Sequence, residues 1–76
     1  MQAAQIRAAR ALLGWRQEDL SNAAKVGLAT IARIEQGEGV VQGNFSTITK
    51  IQQAFERQGI SFITESGGGF GVRLQK

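Results

Sequence analysis

The sequence predicts a mainly α-helical fold in which four helices are followed by a C-terminal β-hairpin. Up to about residue 58, apolar residues recur at the spacings of three and four that are typical of amphipathic helices. The period then changes to two in residues 60–64 and 70–74, and a glycine-rich stretch separates these two runs. We therefore predict a helical domain over residues 1–59 and a hairpin tail over residues 60–76.

The first helix is predicted over residues 2–13, which are rich in alanine, a residue of high helix propensity. Gly14 follows as the glycine that ends the helix. Trp15 is expected to cover the junction between the first two helices, because tryptophan side chains are mostly buried in proteins. The apolar stripe of this helix consists of Ile6, Ala9, Leu12 and Leu13.

Residues 16–37 contain two short amphipathic patterns that only a few residues separate, and this is the sequence pattern of a helix-turn-helix. The first begins at Gln17 and has acidic residues in its first turn, which suit the helix dipole. In the second, Ile31 and Ile34 share one face and are predicted to be buried. The opposite face, which we expect to be available to a partner, consists of Leu28, Ala29, Ala32, Arg33 and Gln36.

The fourth helix is predicted over residues 45–58, after a glycine-rich loop at residues 37–43. Asn44 is expected to be its N-cap, and Gly59 is expected to be the glycine just beyond its C-terminal end. The apolar face of this helix is predicted to consist of Phe45, Ile48, either Ile51 or Gln52, and Phe55.

Composition excludes several functions. The chain has neither cysteine nor histidine, so it lacks thiolate metal ligands and the commonest general base. Its glycine-rich segments fit neither a phosphate-binding P-loop nor a dinucleotide fingerprint. We therefore expect no enzymatic activity, no cofactor, no metal and no small-molecule ligand. The net charge of +3 is compatible with a nucleic-acid partner.

The sequence also lacks signals for a membrane. No apolar run approaches the roughly 20 residues needed to span a bilayer, and the N-terminus lacks the apolar core of a signal peptide. We therefore expect a cytoplasmic protein without a membrane partner.

The hairpin predicts a homodimer. A two-stranded ribbon is rarely stable alone in water, so this one must pack on the helices or pair with another chain. Apolar residues on both of its faces favour pairing of an exposed edge across a two-fold axis. The predicted dimerisation residues are Ile60, Phe62, Ile63, Phe70, Val72 and Leu74.

A family resemblance rests on the residue types and the spacing of seven positions. They are Arg10, Gln17, Leu20, Val26, Ile31, Glu35 and Gly37. Over residues 4–58 this pattern resembles the λ-repressor-like (Xre-type) helix-turn-helix regulators. The stretches RAARALLGW, GEGV and GISFITESGGGFGVRLQK resemble, more narrowly, a group of very short bacterial regulators that end in a hairpin. The resemblance implies a four-helix DNA-binding domain in a bacterial or phage protein that associates with the nucleoid.

The resemblance implies roles for single residues. Arg10 and Glu35 correspond to a partly buried structural ion pair, and Gln17 corresponds to a glutamine that binds a DNA phosphate. Arg33 is expected to bind either guanine O6 and N7 or a phosphate. The base contacts that the resemblance implies, on the outward face of the second motif helix, are Leu28, Ala29, Thr30 and Arg33.

Leu28 and Ala29 have apolar side chains, so the base contact open to them is with the methyl group of thymine. Thr30 has three options: a base, a phosphate or a cap on the turn. Lys25 stands where the family has a turn glycine, so either it adopts a positive φ at a cost of about 1 kcal/mol or the turn differs.

The predicted contacts to the DNA backbone are Arg16, Gln17, Lys25, Gln42, Gly43 and Asn44. For the last three, an ordinary loop with an N-cap is an equally good interpretation. Lys50 and Arg57 are expected to be solvated charges on the fourth helix.

The sequence therefore predicts a regulator that binds double-stranded DNA sequence-specifically. We expect a repressor that binds a pseudo-palindromic operator as a homodimer through the major groove. The alternative is a protein-interaction module, such as an antitoxin-like or assembly domain, that uses the exposed face of residues 28–36.

Overall fold

The computed structural model describes residues 1–65 and 67–75 of the chain. Four helices precede a two-stranded antiparallel hairpin, so the fold class predicted from the sequence is confirmed. No helix in these described residues has the length and hydropathy that crossing a membrane requires. The elements are α1 (Ala3–Leu13), α2 (Gln17–Ala24), α3 (Leu28–Gln36), α4 (Phe45–Glu56), β1 (Ile60–Thr64) and β2 (Phe70–Leu74).

Phe55 lies at the centre of the hydrophobic core, and its side chain is fully buried. Its ring stacks on Trp15 at a centroid distance of 5.8 Å and meets Phe62 edge-on at 5.9 Å. Each such aromatic pair contributes about 0.5–1.5 kcal/mol beyond the burial of its area. Phe55 thus joins the α1–α2 junction, which Trp15 covers as predicted, to β1. The other large side chains that are fully buried are Ile6, Leu20, Ile31 and Ile51.

Short-range signals set the helix ends. Gly14 ends α1 in the left-handed region at φ 67°, and Asn44 caps α4 by accepting a 3.0 Å hydrogen bond from the Thr47 amide. Arg16 supplies no side-chain cap to α2, but its own amide donates a 2.8 Å hydrogen bond to Asp19 Oδ2. The acidic first turn therefore helps to fix the start of α2.

The end of α4 differs from the prediction. The helix ends at Glu56, two residues before the predicted end, and residues 57–59 form a turn. Gly59 is needed for another reason, since its φ is 91° and a Cβ at this position would overlap the Gln75 carbonyl oxygen. The carbonyl group of Gly59 itself accepts a 2.8 Å hydrogen bond from the Gln75 amide, which closes the open end of the hairpin.

Two residues on the predicted apolar faces are not buried. Leu12 is 47% exposed because the buried face of α1 lies in its first two turns, and Phe45 is 85% exposed because α4 is buried in its second half. Of the two candidates in the middle of α4, Ile51 is buried and Gln52 is exposed. The buried residues of α1 are Ala3, Gln5, Ile6 and Ala9, and those of α4 are Ile51, Ala54 and Phe55.

The hairpin packs on the helices of its own chain. In the register Ile60 pairs with Leu74 and Phe62 pairs with Val72, so that these four side chains share one face. That face lies on the core, with α1 against β2 and α4 against β1. Ile60 is only 2% exposed, so its side chain belongs to the core of the protomer. The dimer contact predicted for it stays a prediction.

We predict that Gly59→Ala destabilises the protein by more than the roughly 1 kcal/mol that a left-handed backbone alone costs a non-glycine residue. The added Cβ also meets the Gln75 carbonyl group. Urea denaturation measures the change. Gly71→Ala is the control, because a Cβ there meets nothing within 4 Å. Equal stability of the two variants would contradict the close approach at Gly59.

Candidate nucleic-acid interface

Residues 25–27 connect α2 and α3 in a tight turn. Lys25 adopts φ 57° and ψ 46°, so the chain uses the left-handed conformation although the residue is not glycine. Ser21 closes the turn, because its carbonyl accepts from the Val26 amide at 3.2 Å and its hydroxyl donates to the Val26 carbonyl at 2.6 Å. Val26 is itself buried, which anchors the turn to the core.

The two faces of α3 differ as the sequence predicts. Ile31 and Ile34 are buried, whereas Leu28 is 45% exposed and Ala29 is exposed. Arg33 is exposed and forms no ion pair within the residues that the structure describes. The outward face thus presents an apolar pair at its N-terminal end and a cation one turn later.

Two other residues on this helix are less open. Thr30 and Ala32 are half-buried, so neither lies fully on the outward face. Gly27 is the N-cap residue of α3 and provides no side-chain cap. In the described part of the chain Thr30 does not cap the turn either.

Two arginines of α1 hold the C-terminal end of α3. Arg10 binds the Glu35 carboxylate in a bidentate way, with Nε–Oε2 2.8 Å and Nη2–Oε1 2.7 Å, and Nη1 donates to the Trp15 carbonyl at 3.0 Å. The Glu35 side chain is 3% exposed and that of Arg10 is 21% exposed. The structure therefore contains the ion pair that the resemblance implies.

Arg7 is a structural residue that the sequence analysis missed. Its Nη1 donates a 2.6 Å hydrogen bond to the Glu35 carbonyl oxygen, one of the carbonyl groups that the end of a helix leaves without an intrahelical partner. Because Arg7 and Arg10 are three residues apart, they lie on the same side of α1. That spacing was the only signal in the sequence for a second contact to α3.

The N-terminal end of α2 presents two polar side chains. Gln17 is its first residue and is half-buried, and the Arg16 side chain is 75% exposed. The Arg16 guanidinium group lies 3.8 Å from Asp19 and 3.9 Å from Glu18. Exposed pairs of this kind contribute only about 0–1 kcal/mol, so a phosphate group can replace them at little cost.

The loop at residues 37–43 pairs with the N-terminal segment of the chain. Gln2 and Val40 form an isolated antiparallel β-bridge. On either side of it, the Ala3 amide donates to the Gly39 carbonyl and the Val41 amide donates to the Met1 carbonyl, both at 2.9 Å. This pairing of the N-terminal segment with the loop was not predicted, because the loop sequence has no strand period.

The bridge leaves a short exposed segment, residues 42–44, between two fixed points. One is Val41, which is buried, and the other is the capped start of α4. The Asn44 carboxamide oxygen acts as the N-cap, so the cap interpretation of this residue holds and only its NH₂ group is left for a further partner. Gln42 lines a small surface cavity of about 170 Å³ together with Arg33, which brings the loop beside α3.

Lys25 lies apart from the other cations of the predicted interface. It follows the last residue of α2, whereas Arg16 precedes the first. Lys25 instead lines a surface cavity of about 470 Å³ with Lys50 and Arg57.

Arg57 is exposed and also has a structural contact. It donates a 3.1 Å hydrogen bond to the Ala23 carbonyl and so caps the C-terminal end of α2.

A short helix-turn-helix with an exposed face on its second helix is the arrangement that DNA-binding helix-turn-helix domains use to enter the major groove. The sequence matches the helix-turn-helix family over residues 6–57, which is more than half of the chain. The chain belongs to the λ-repressor-like (Xre-type) helix-turn-helix family of DNA-binding regulators, as its sequence resemblance indicated. No curated protein matches the sequence.

We predict that Arg10→Ala destabilises the protein by about 3–5 kcal/mol, because it leaves the Glu35 carboxylate buried without its partner. Urea denaturation again gives the change in the free energy of unfolding. Arg16→Ala is the matched control, since its ion pairs are exposed and its loss should cost about 0–1 kcal/mol. A loss below about 1 kcal/mol for Arg10→Ala would show that water reaches Glu35.

Proposed function

We propose that the protein is a sequence-specific regulator that binds double-stranded DNA as a homodimer and represses transcription by occupying its operator. The observation that supports this most is the outward face of α3, which is free while the buried face and the C-terminal end of the helix are both held by the domain. In helix-turn-helix complexes the N-terminal residues of this second helix contact base edges in the major groove.

Base reading is assigned to four residues. Leu28 and Ala29 offer only apolar surface, which fits thymine methyl groups. Arg33 has an exposed guanidinium group that can bind guanine O6 and N7 with two hydrogen bonds. Thr30 is half-buried and is placed at the edge of this set as a donor to a base or a phosphate.

Backbone binding is assigned to two regions. At the start of α2, Arg16 and Gln17 lie where the positive end of the helix dipole also favours a phosphate. In the loop, residues 42–44 are exposed. The contacts that we propose are Arg16, Gln17, Gln42, Gly43 and Asn44, with Lys25 as a further contact from the other end of α2.

The hairpin is the proposed dimer interface. Its outermost described hydrogen bonds join Glu65 to Gly69 and Gln75 to Gly59. With the observed register, the backbone amides and carbonyls of the even-numbered strand residues therefore point away from the partner strand, toward the two edges. A second copy can pair with one of these edges. The side chains proposed to join it are Phe62, Ile63, Phe70, Val72 and Leu74.

Exposure ranks these side chains. Phe70 is 48% exposed, and Ile63 lies on the face of the hairpin that is turned away from the core. Phe62, Val72 and Leu74 are already partly packed on the protomer's own helices. We therefore assign the first dimer contacts to Phe70, at the exposed end of the core-facing side, and to Ile63 on the opposite face of the hairpin.

A dimer determines the spacing of its half-sites. The two α3 helices can enter successive major grooves on one side of the DNA only if they lie about one helical turn apart, about 34 Å. The operator is therefore expected to be pseudo-palindromic, with half-sites about one helical turn apart.

A protein-interaction module is the second candidate, and the 45% exposure of Leu28 beside Ala29 is the observation that favours it. Salt dependence separates the two functions. Binding to DNA weakens steeply with salt, with a logarithmic slope of about −0.9 for each phosphate neutralised. A protein partner that docks on these apolar residues shows much less dependence.

The function is tested by selecting bound duplexes from random DNA and titrating the binding of the selected duplex with salt. A consensus with two related half-sites and a slope that corresponds to several phosphates is the expected result. Failure to enrich any sequence, or binding that salt does not weaken, would contradict the proposal. A footprint over one asymmetric half-site would contradict the dimer.

We predict that Arg33→Ala lowers affinity for the selected duplex by about 1–3 kcal/mol and removes base preference at one position of each half-site. Lys50→Ala, on the exposed side of α4, is the control and should retain the preference. Competition binding with single-base variants of the duplex measures both effects. Retention of affinity and preference in Arg33→Ala would show that Arg33 is not a reader.

We predict that Phe70→Asp converts the dimer to a monomer, because a charge on an apolar strand edge cannot be desolvated without a partner. Sedimentation at high micromolar protein concentration measures the oligomeric state. Phe45→Asp is the control, since Phe45 is 85% exposed but lies outside the hairpin. A monomer for the unsubstituted protein would end the dimer proposal.

A further inference from the structure

We propose that Gln5 is a positioning residue that couples the hairpin to the loop at residues 39–44, so that the placement of the hairpin sets the placement of the proposed DNA-backbone contacts. This inference rests on the proposed function for the role of the loop and of the hairpin. The coupling itself rests only on contacts within the fold. Neither the helical period nor the family pattern pointed to Gln5.

One side-chain carboxamide binds three separate backbone groups. Gln5 Nε2 donates to the Gly71 carbonyl at 2.8 Å and to the Ile63 carbonyl at 3.1 Å. Gln5 Oε1 accepts a 2.8 Å hydrogen bond from the Gln2 amide. Ile63 and Gly71 are directly opposite each other in the two strands, so the NH₂ group holds both strands at one rung of the hairpin.

The orientation of this carboxamide is determined by its partners. Two of them are carbonyl oxygens, which only accept, and the third is an amide, which only donates. Exchange of the nitrogen and oxygen of the Gln5 side chain would place oxygen against oxygen at both strands. The group therefore fits in one orientation and uses both of its N–H donors.

Gln5 is also fully enclosed, with 2% of the residue exposed. A Cβ on Gly71 would lie in open space, so Gln5 approaches the two carbonyls from the opposite, core-facing side of the hairpin. Water cannot replace a lost contact at such a site without a rearrangement, and a buried polar group left without a partner is costly. The three hydrogen bonds must therefore be kept together.

The Gln2 amide links this group to the loop. Gln2 forms the β-bridge with Val40, and its neighbours on each side exchange hydrogen bonds with Gly39 and Val41. Because alternate backbone groups of an extended chain point in opposite directions, Met1 and Ala3 face the loop while the Gln2 amide faces Gln5. Residues 1–3 thus connect the Gln5 carboxamide to Gly39 and Val41, the two neighbours of Val40 in the β-bridge.

The carboxamide is planar and rigid, so its two ends move together. If the hairpin shifts, the Gln5 NH₂ group that it binds moves with it. Gln5 Oε1 then moves away from the Gln2 amide, unless the N-terminal segment moves as well. The segment carries Gly39 and Val41 with it, and residues 42–44 follow directly along the chain. Pairing of two hairpins in a dimer therefore fixes the same loop that we assign to the DNA backbone.

Gln5→Glu gives the sharpest test, because it removes the hydrogen-bond donors of the side chain and keeps the acceptor. The carboxylate keeps an acceptor for the Gln2 amide but places an oxygen against the carbonyls of Ile63 and Gly71. The measurement is hydrogen exchange of the Ala3 and Val41 amides in the free protein. We expect exchange at both amides to rise at least tenfold relative to the Ile31 amide, which lies in α3.

Two outcomes would overturn the coupling. An increase confined to the hairpin amides would show that the loop does not follow the hairpin. An increase of the same size at Ile31 would show that Gln5 contributes only to global stability. A pH profile of the Gln5→Glu variant adds a further check, since protonation of the introduced carboxylate restores one donor and should partly restore protection relative to the unsubstituted protein.

Gln5→Met removes all three hydrogen bonds at similar volume and should raise exchange at both the loop and the hairpin. Gln53→Met is the matched control, because Gln53 is exposed in the middle of α4 and its side chain has no hydrogen bond within the described residues. It should leave exchange at Ala3 and Val41 unchanged. If Gln5→Met behaves like Gln53→Met, the proposal is wrong.

Binding to the duplex selected from random DNA tests the functional part. Gln5→Glu should lower affinity for that duplex at least tenfold and make the salt dependence shallower, because fewer backbone contacts are made together. Unchanged affinity would overturn the role of Gln5 in placing the loop. If no duplex is selected at all, the proposed function fails, and the exchange measurement still decides whether the coupling exists.

Discussion

A buried carboxylate constrains the arrangement of the whole domain. The Glu35 side chain lies at the end of α3, the recognition helix of the proposed complex, with almost no contact with solvent, where an unpaired charge costs several kcal/mol. Folding must therefore bring Arg10 to it. Because a guanidinium group binds a carboxylate in one planar, bidentate geometry, this pair fixes α1 against α3 in both distance and orientation. The ion pair thus favours the packing of α1 on α3 in which these two side chains meet.

The first helix is the part of the molecule from which the other functional parts take their positions. It provides none of the proposed DNA contacts. Its successive turns nevertheless hold the loop and hairpin through Gln5, the end of α3 through Arg7, and the Glu35 carboxylate through Arg10. These contacts lie on one short, alanine-rich helix whose first half is buried. A single rigid element therefore relates the recognition helix to the hairpin, which a chain of flexible connections would not do.

The sequence predicted what short-range chemistry determines. Helical spacing located all four helices and the outward face of α3, and Gly14 and Asn44 marked helix ends because their conformational preferences act locally. It failed where the outcome depends on distant residues. Periodicity placed Leu12 and Phe45 on apolar faces, but spacing does not reveal where a neighbouring element stops covering a helix. Gln5 was missed because its partners in the hairpin lie 58 and 66 residues away, and nothing near it indicates them.

The separation of the two faces of α3 has a consequence for how such a domain can diversify. The side chains that hold the helix in place are Ile31, Ile34 and Glu35, whereas Leu28, Ala29 and Arg33 contribute little to the core. Replacement of the outward residues therefore has little effect on folding, as is usual for exposed positions. For the DNA-binding function that we propose, this means that operator preference can change one substitution at a time, because the stability that each intermediate needs is supplied by residues that do not have to change.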